Sequence, residues 1–137
     1  MIAIAVSAFH EEVSAGLLAG CKAALVESGI PDSELDVRRV PGVFELPATA
    51  LQLSQQPGVQ AVITLGAVVR GETDHYHYIS EAVTSGLMQV TLRSAVPVIF
   101  GVLTCHNMEQ ARARSESNGR HNKGYEVGMA VMEMMLN

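Results

Sequence analysis

Three nearly unbroken runs of aliphatic and β-branched residues constrain the fold of this chain more than any other feature. They are Ile2 to Val6, Ala61 to Val69 and Val96 to Thr104. A strand with one wet face alternates apolar and polar residues. A run without alternation reads as a strand covered on both faces, as in a parallel sheet between helical layers. Val37-Arg38-Arg39-Val40 is short and mixed, which predicts an edge strand. The longest runs stop at about ten residues, half of what a membrane-spanning helix needs.

Helical patterns separate the runs. Val13, Leu17, Cys21 and Leu25 recur every four residues, with Leu18 alongside, and Gly29 and Pro31 end that helix. Pro47 suits the first turn of a second helix, through Ala50, Leu51 and Leu53 to Pro57-Gly58. A third starts near the cap candidates Thr73 and Asp74 and runs towards Arg93. Asn122 caps a fourth, with Val127, Val131, Met134 and Met135 on one side as core or subunit-contact surface. Alternation of strand and helix predicts an α/β chain, a parallel sheet sandwiched by helices. With 137 residues and no linker or repeat, residues 1–137 read as one domain.

Composition excludes several classes of function. Apolar residues make up 48% and charged residues 17%, so the chain is no disordered tail. A net charge of −5 argues against a nucleic-acid partner bound through phosphates. Cys21 and Cys105 lack metal-ligand spacing and read as buried, reduced thiols. No basic leader precedes Ile2, so the expectation is a cytoplasmic protein without a membrane partner.

In open parallel sheets ligands bind at the carboxyl ends of the strands. That rule selects the loops from Ser7 to Glu12, Pro41 to Pro47, Ala67 to His75 and Thr104 to Met108. Gly66-Ala67-Val68-Val69-Arg70-Gly71-Glu72-Thr73-Asp74-His75 leaves a buried strand, turns at glycine and enters a helix. Such a junction offers N–H groups and the positive end of a dipole to an anion. His75 falls in the first turn, where that dipole favours the neutral imidazole that acid–base work requires. A surface histidine on a capped helix explains the same residues equally well. His77 is two residues from His75 and faces elsewhere on a helix, which argues against a metal pair. Glu45 follows the rigid Pro41-Gly42 turn and serves either as a helix-terminus charge or as an acceptor for ligand hydroxyls. Phe9 lies past the first strand, where it could stack on a flat heterocycle or plug the core. Arg112, Arg114, Arg120 and Lys123 cluster in an otherwise acidic chain; the segment is a solvated face or a phosphate site.

Five stretches carry a family resemblance: VPGVFELP (40–47), TLGAVVRGETDHYHYIS (64–80), PVIFGVLT (97–104), EQARAR (109–114) and NKGYE (122–126). In order and spacing they resemble the 6,7-dimethyl-8-ribityllumazine synthases of riboflavin formation. The resemblance spans essentially the whole chain. It implies a three-layer α/β sandwich, flavodoxin-like, with a four-stranded parallel sheet flanked by helices. It also implies an enzyme that condenses 5-amino-6-(D-ribitylamino)uracil with 3,4-dihydroxy-2-butanone 4-phosphate, without metal or organic cofactor, in homopentamers with active sites between subunits. By the same resemblance Phe9 stacks on the pyrimidine, and Val43, Phe44 and Glu45 line the ribityl site. Ala67, Val68 and Val69 address the heterocycle through backbone groups, Glu72 and Thr73 offer donors to phosphate, and His75 is the acid–base group. Phe100 and Arg114 come from the adjacent subunit, Arg114 binding phosphate, and Lys123 supports that side.

The chain departs from the family pattern at four points. His10 stands where Asn often follows the stacking aromatic, and His77 replaces an acid. Ala113 replaces the acid before Arg114, and one extra residue separates Arg114 from Asn122. The extra residue, and a chain starting directly on its first strand, favour a pentamer over an icosahedral shell. The alternatives are an archaeal-type riboflavin synthase, which takes the lumazine as substrate, and a non-catalytic flavin-binding scaffold. A phospho-switch of flavodoxin shape needs an aspartate at the end of a central strand, and Thr64-Leu65-Gly66-Ala67 has none.

Overall fold

A computed structural model describes residues 1–116 and 121–136. Four strands, β1 (Ile2–Ser7), β2 (Leu35–Val40), β3 (Ala61–Val69) and β4 (Val98–Cys105), form one parallel sheet in the order β2-β1-β3-β4. The helices are α1 (Glu11–Glu27), α2 (Leu46–Ser54), α3 (His75–Arg93), α4 (Met108–Ala113) and α5 (Lys123–Leu136). β2 takes the edge that its Arg38-Arg39 pair predicts; Arg38 Nε meets Asp36 Oδ1 at 3.0 Å along the strand.

The two faces of the sheet differ in side-chain size, and that difference places the helices. Ile2, Ile4 and Val6 of β1, with Ile63 and Leu65 of β3, pack against Leu17, Cys21 and Leu25 of α1 and Val127 and Val131 of α5. On the opposite face β1 offers Ala3 and Ala5, which pack with Leu46, Ala50 and Leu53 of α2 and Val83 and Leu87 of α3. Small residues there let α2 sit low over the sheet. Gly66 continues the trend: a Cβ on it would come within 2.7 Å of Val43 Cγ1 and 3.1 Å of Ser7 Cβ. The turn Val43–Glu45 is thereby seated directly over the end of β3.

Helix boundaries follow local chemistry. α1 ends at Ser28, with Gly29 at φ +94° and the Ile30 N–H returned to the Leu25 carbonyl at 2.9 Å. Pro47 occupies the first turn of α2. Neither Thr73 nor Asp74 caps α3 by its side chain in the expected manner. Asp74 holds the cap position without a side-chain bond, and Thr73 Oγ1 accepts from His75 N–H at 3.3 Å. At α5, Asn122 Oδ1 accepts from Tyr125 N–H at 3.0 Å, as a cap does. Val127 and Val131 are buried and Met135 packs on the core, but Met134 turns outward at 50% exposure.

Two expectations need qualifying. The Val96–Thr104 run reads as a strand covered on both faces, and β4 does pack Leu103 and Cys105 on one layer and Val98 and Val102 on the other. It is, however, the second edge of the sheet and leaves Phe100 and Thr104 exposed. The charge-rich stretch of Arg112, Arg114, Arg120 and Lys123, read as a solvated face or a phosphate site, opens in a short helix, α4, capped by Asn107 Oδ1 accepting from Gln110 N–H at 2.8 Å. Ala111, Ser115 and Asn122 in this segment are buried; Arg120 lies outside the described residues. Cys21 and Cys105 are both buried and unpaired, and burial pushes the Cys21 thiol up to about 12.

Candidate active site

The three phenylalanines of the chain avoid the core altogether. Phe9 is 63% exposed, Phe44 59% and Phe100 39%. An aromatic buries more apolar area than any aliphatic residue, so leaving all three in solvent sacrifices stability unless something covers them.

Phe9 and Phe44 stand at the mouth of a cleft of about 340 Å³ at the carboxyl ends of β1, β2 and β3. Of the residues picked from the sequence, Phe9, Val43, Phe44, Glu45, Ala67, Val68, Val69, Thr73 and His75 line this cleft together. Parallel pairing explains the convergence. Ser7 is opposite Val40 and Val6 opposite Leu65, so the β1, β2 and β3 loops leave the sheet at one level. Glu72 is exposed between Gly71 and Thr73, both of which line the cleft while Glu72 does not. His75 opens α3, and its backbone N–H is taken by the Thr73 hydroxyl, whose own hydrogen stays available to a ligand.

Phe100, Arg114 and Lys123 line a separate cleft of about 680 Å³ along the open edge of β4. Arg114 follows α4 and donates from Nη1 to the Gln110 carbonyl at 3.2 Å. Cys105, at the end of β4, senses Arg114: burial raises its thiol pKa and the guanidinium opposes that shift. Lys123 Nζ is 3.6 Å from Glu126 Oε2, which partly neutralises it. Among the described residues no carboxylate lies within ion-pair distance of Arg114, so its charge is the less committed of the two. One chain thus brings Phe9, Phe44, Glu45 and His75 into one cleft and Phe100, Arg114 and Lys123 into another.

The profile of the 6,7-dimethyl-8-ribityllumazine synthases matches residues 1–137. The chain belongs to that family. Similar lumazine synthases include that of Pediococcus pentosaceus, 45% identical over 134 residues, and that of Levilactobacillus brevis, 42% identical over 134 residues. Each alignment covers 98% of this chain and 85% of the relative. Lumazine synthases are transferases of riboflavin biosynthesis, so the sequence resemblance, the α/β fold and the assignment as an enzyme all hold.

Five further residues of this lumazine synthase line the first cleft without having been singled out as site residues: His10, Gly42, Gly71, Tyr76 and Ile79. Tyr76, Ile79 and Val83 recur at i, i+3 and i+7 on one face of α3, and that periodicity was the available signal. His10 adopts a left-handed conformation at φ 59°, which strains a non-glycine residue by about 1 kcal/mol. Its ring stands edge-on to Phe9 with centroids 4.5 Å apart, and burial lowers its pKa, favouring the uncharged form. No helix among the described residues is long and apolar enough to cross a membrane.

Proposed function

We propose that this lumazine synthase condenses 5-amino-6-(D-ribitylamino)uracil with 3,4-dihydroxy-2-butanone 4-phosphate, at sites completed by two copies of the chain. The observation that carries the reading is the split of the functional side chains between two clefts. The heterocycle side, with Phe9, Glu45 and His75, lies at the strand ends; the cationic side, with Phe100, Arg114 and Lys123, lies along the β4 edge of the sheet. Docking that edge of one copy against the strand ends of the next covers the exposed phenylalanines and joins the two halves.

In the joined site Phe9 stacks on the pyrimidine. Glu45 accepts from the ribityl hydroxyls, and the backbone of Ala67, Val68 and Val69 meets the polar edge of the ring. The ring amine attacks the ketone, and the imine forms with loss of water. Phosphate then leaves, and closure of the second ring expels another water. Each stage moves a proton, and His75 is the group that accepts and returns it. Arg114 of the adjoining copy, helped by Lys123 and the Thr73 hydroxyl, stabilises the departing dianion. Both substrates are reactive unaided, so positioning supplies much of the acceleration.

The testing experiment is an absorbance assay for lumazine formation from the two substrates. A protein that instead makes riboflavin from the lumazine alone would be a riboflavin synthase; one that binds flavin without turnover would be a scaffold. Within that assay, His75→Ala is expected to lower kcat by about ten- to hundredfold, at the low end for a positioned proton carrier, with both KM values little changed. Full activity of His75→Ala across pH would remove it from the reaction.

The assembly is read as a homopentamer. Light scattering is expected to give about five times the 14.6 kDa chain mass. A shell-sized particle would overturn the pentamer, and a fully active 14.6 kDa species would overturn the shared site.

A further inference from the structure

We infer that Asn122, seated on glycine notches of α1, is a positioning residue that holds Arg114 and Lys123 at their working separation. The inference rests on reading the β4-edge cleft as the phosphate side of the site.

Arg114 and Lys123 are anchored by the residues beside them. Ser115, immediately after Arg114, is 6% exposed, and Asn122, immediately before Lys123, is 2% exposed. Each occupies space that a glycine of α1 leaves open. A methyl group on Gly16 would overlap the Ser115 carbonyl oxygen, and one on Gly20 would overlap the Asn122 side-chain amide. Gly16 and Gly20 are one helical turn apart, so they form a groove along one face of α1.

The bonds of Asn122 separate two jobs. Its Oδ1 accepts from Tyr125 N–H at 3.0 Å, which is the work of a helix cap, and serine or aspartate would do it as well. Its Nδ2 donates to the Gly16 carbonyl at 3.0 Å and to the Glu116 carbonyl at 3.0 Å, which no cap requires. Only an amide supplies both hydrogens along with the accepting oxygen. Those two bonds tie α1 to the chain just beyond Arg114. The Lys123 N–H then closes onto the Arg114 carbonyl at 2.8 Å, joining the backbones of the two cation-bearing residues directly. The side chains start from a braced frame while their tips remain solvated, so an anion is met without first ordering the backbone.

The test uses the assembled enzyme and reads KM for each substrate, the inhibition constant of inorganic phosphate, and the thermal midpoint. Asn122→Ser keeps a capping oxygen and loses both Nδ2 bonds. It is expected to raise the phosphate-substrate KM and the inorganic-phosphate inhibition constant about fivefold or more, with the uracil KM within about twofold. Gly20→Ala displaces the amide without deleting its groups and is expected to give the same signature, so the test survives if Asn122→Ser proves insoluble. Gly128→Ala is the packing control. Its Cβ would come within 2.8 Å of Ala24 Cβ on the same helix pair, one turn beyond Gly124, and it is expected to lower the midpoint without moving either phosphate constant.

If Arg114→Ala raises both phosphate constants while Asn122→Ser and Gly20→Ala shift only the midpoint, Asn122 is a cap and the inference is overturned. If Arg114→Ala also leaves them unmoved, the phosphate reading of the cleft fails first and takes the inference with it.

Discussion

Arg114→Ala is expected to raise the KM for the four-carbon phosphate substrate by about 10- to 100-fold, since a hydrogen bond with a charged partner contributes roughly 1.5–3 kcal/mol. The uracil KM should stay within about twofold, because Phe9 and Glu45 line the other cleft. kcat should fall as well, by about tenfold, if the guanidinium follows the charge into the leaving group. Arg114 carries this expectation ahead of Lys123 because Lys123 is 3.6 Å from Glu126, whereas among the described residues the Arg114 side chain donates only to the neutral Gln110 carbonyl. Arg114→Lys keeps the charge and loses the planar fork, so its constants should fall between the two. Mixing Arg114→Ala with His75→Ala subunits adds a geometric check. If each site takes His75 from one copy and Arg114 from the next, about a quarter of the interfaces in a random mixed ring are intact and activity recovers. Unchanged phosphate affinity in Arg114→Ala would leave the basic cluster as a solvated face.

The first cleft was legible in the sequence because its parts are local. Phe9 and His75 each follow a strand that an aliphatic run announces, Glu45 follows the short mixed edge strand, and parallel strands deliver their carboxyl ends to one side of the sheet whatever the intervening helices do. The edge position of β2 was legible for the same reason, in Arg38 and Arg39. The role of β4 was not. An unbroken run such as Val96–Thr104 reads as covered on both faces, and the chain itself leaves Phe100 and Thr104 exposed. Such a run says that a strand wants cover without saying what supplies it. α4 escaped because six residues hold too little periodicity to separate a helix from a charged loop. The burial of Ser115 and Asn122 escaped because its cause lies about a hundred residues away, in two glycines of α1 that look like ordinary helix weaknesses until the facing segment is seen.

Gly124→Ala is expected to destabilise the fold by about 2–3 kcal/mol, against the ordinary preference of a helix for alanine over glycine by roughly 1 kcal/mol. The reason is where the new methyl goes. It would overlap the Leu17 carbonyl oxygen and crowd the Leu17 backbone carbon at 2.6 Å and Cα at 2.9 Å. Backbone in the middle of α1 has no rotamer by which to move aside. The helices must separate, and separation loosens the contacts of Leu17, Cys21, Val127 and Val131 in the core beneath. Gly86→Ala in α3 supplies the contrast. Its methyl would come within 3.0 Å of Pro47 Cγ and 3.1 Å of Cβ, side-chain atoms at the rim of a groove between α2 and α3 that can give by a few tenths of an ångström. Helix propensity then offsets the crowding, and the expected change is within about 0.5 kcal/mol. Paired thermal scans decide between the two accounts. At about 3–4 °C per kcal/mol for a chain of this size, Gly124→Ala should melt roughly 6–12 °C lower and Gly86→Ala close to the parent. If Gly124→Ala melted at or above the parent temperature, α1 and α5 would not meet backbone to backbone, and the frame that carries Arg114 and Lys123 would have to be built some other way.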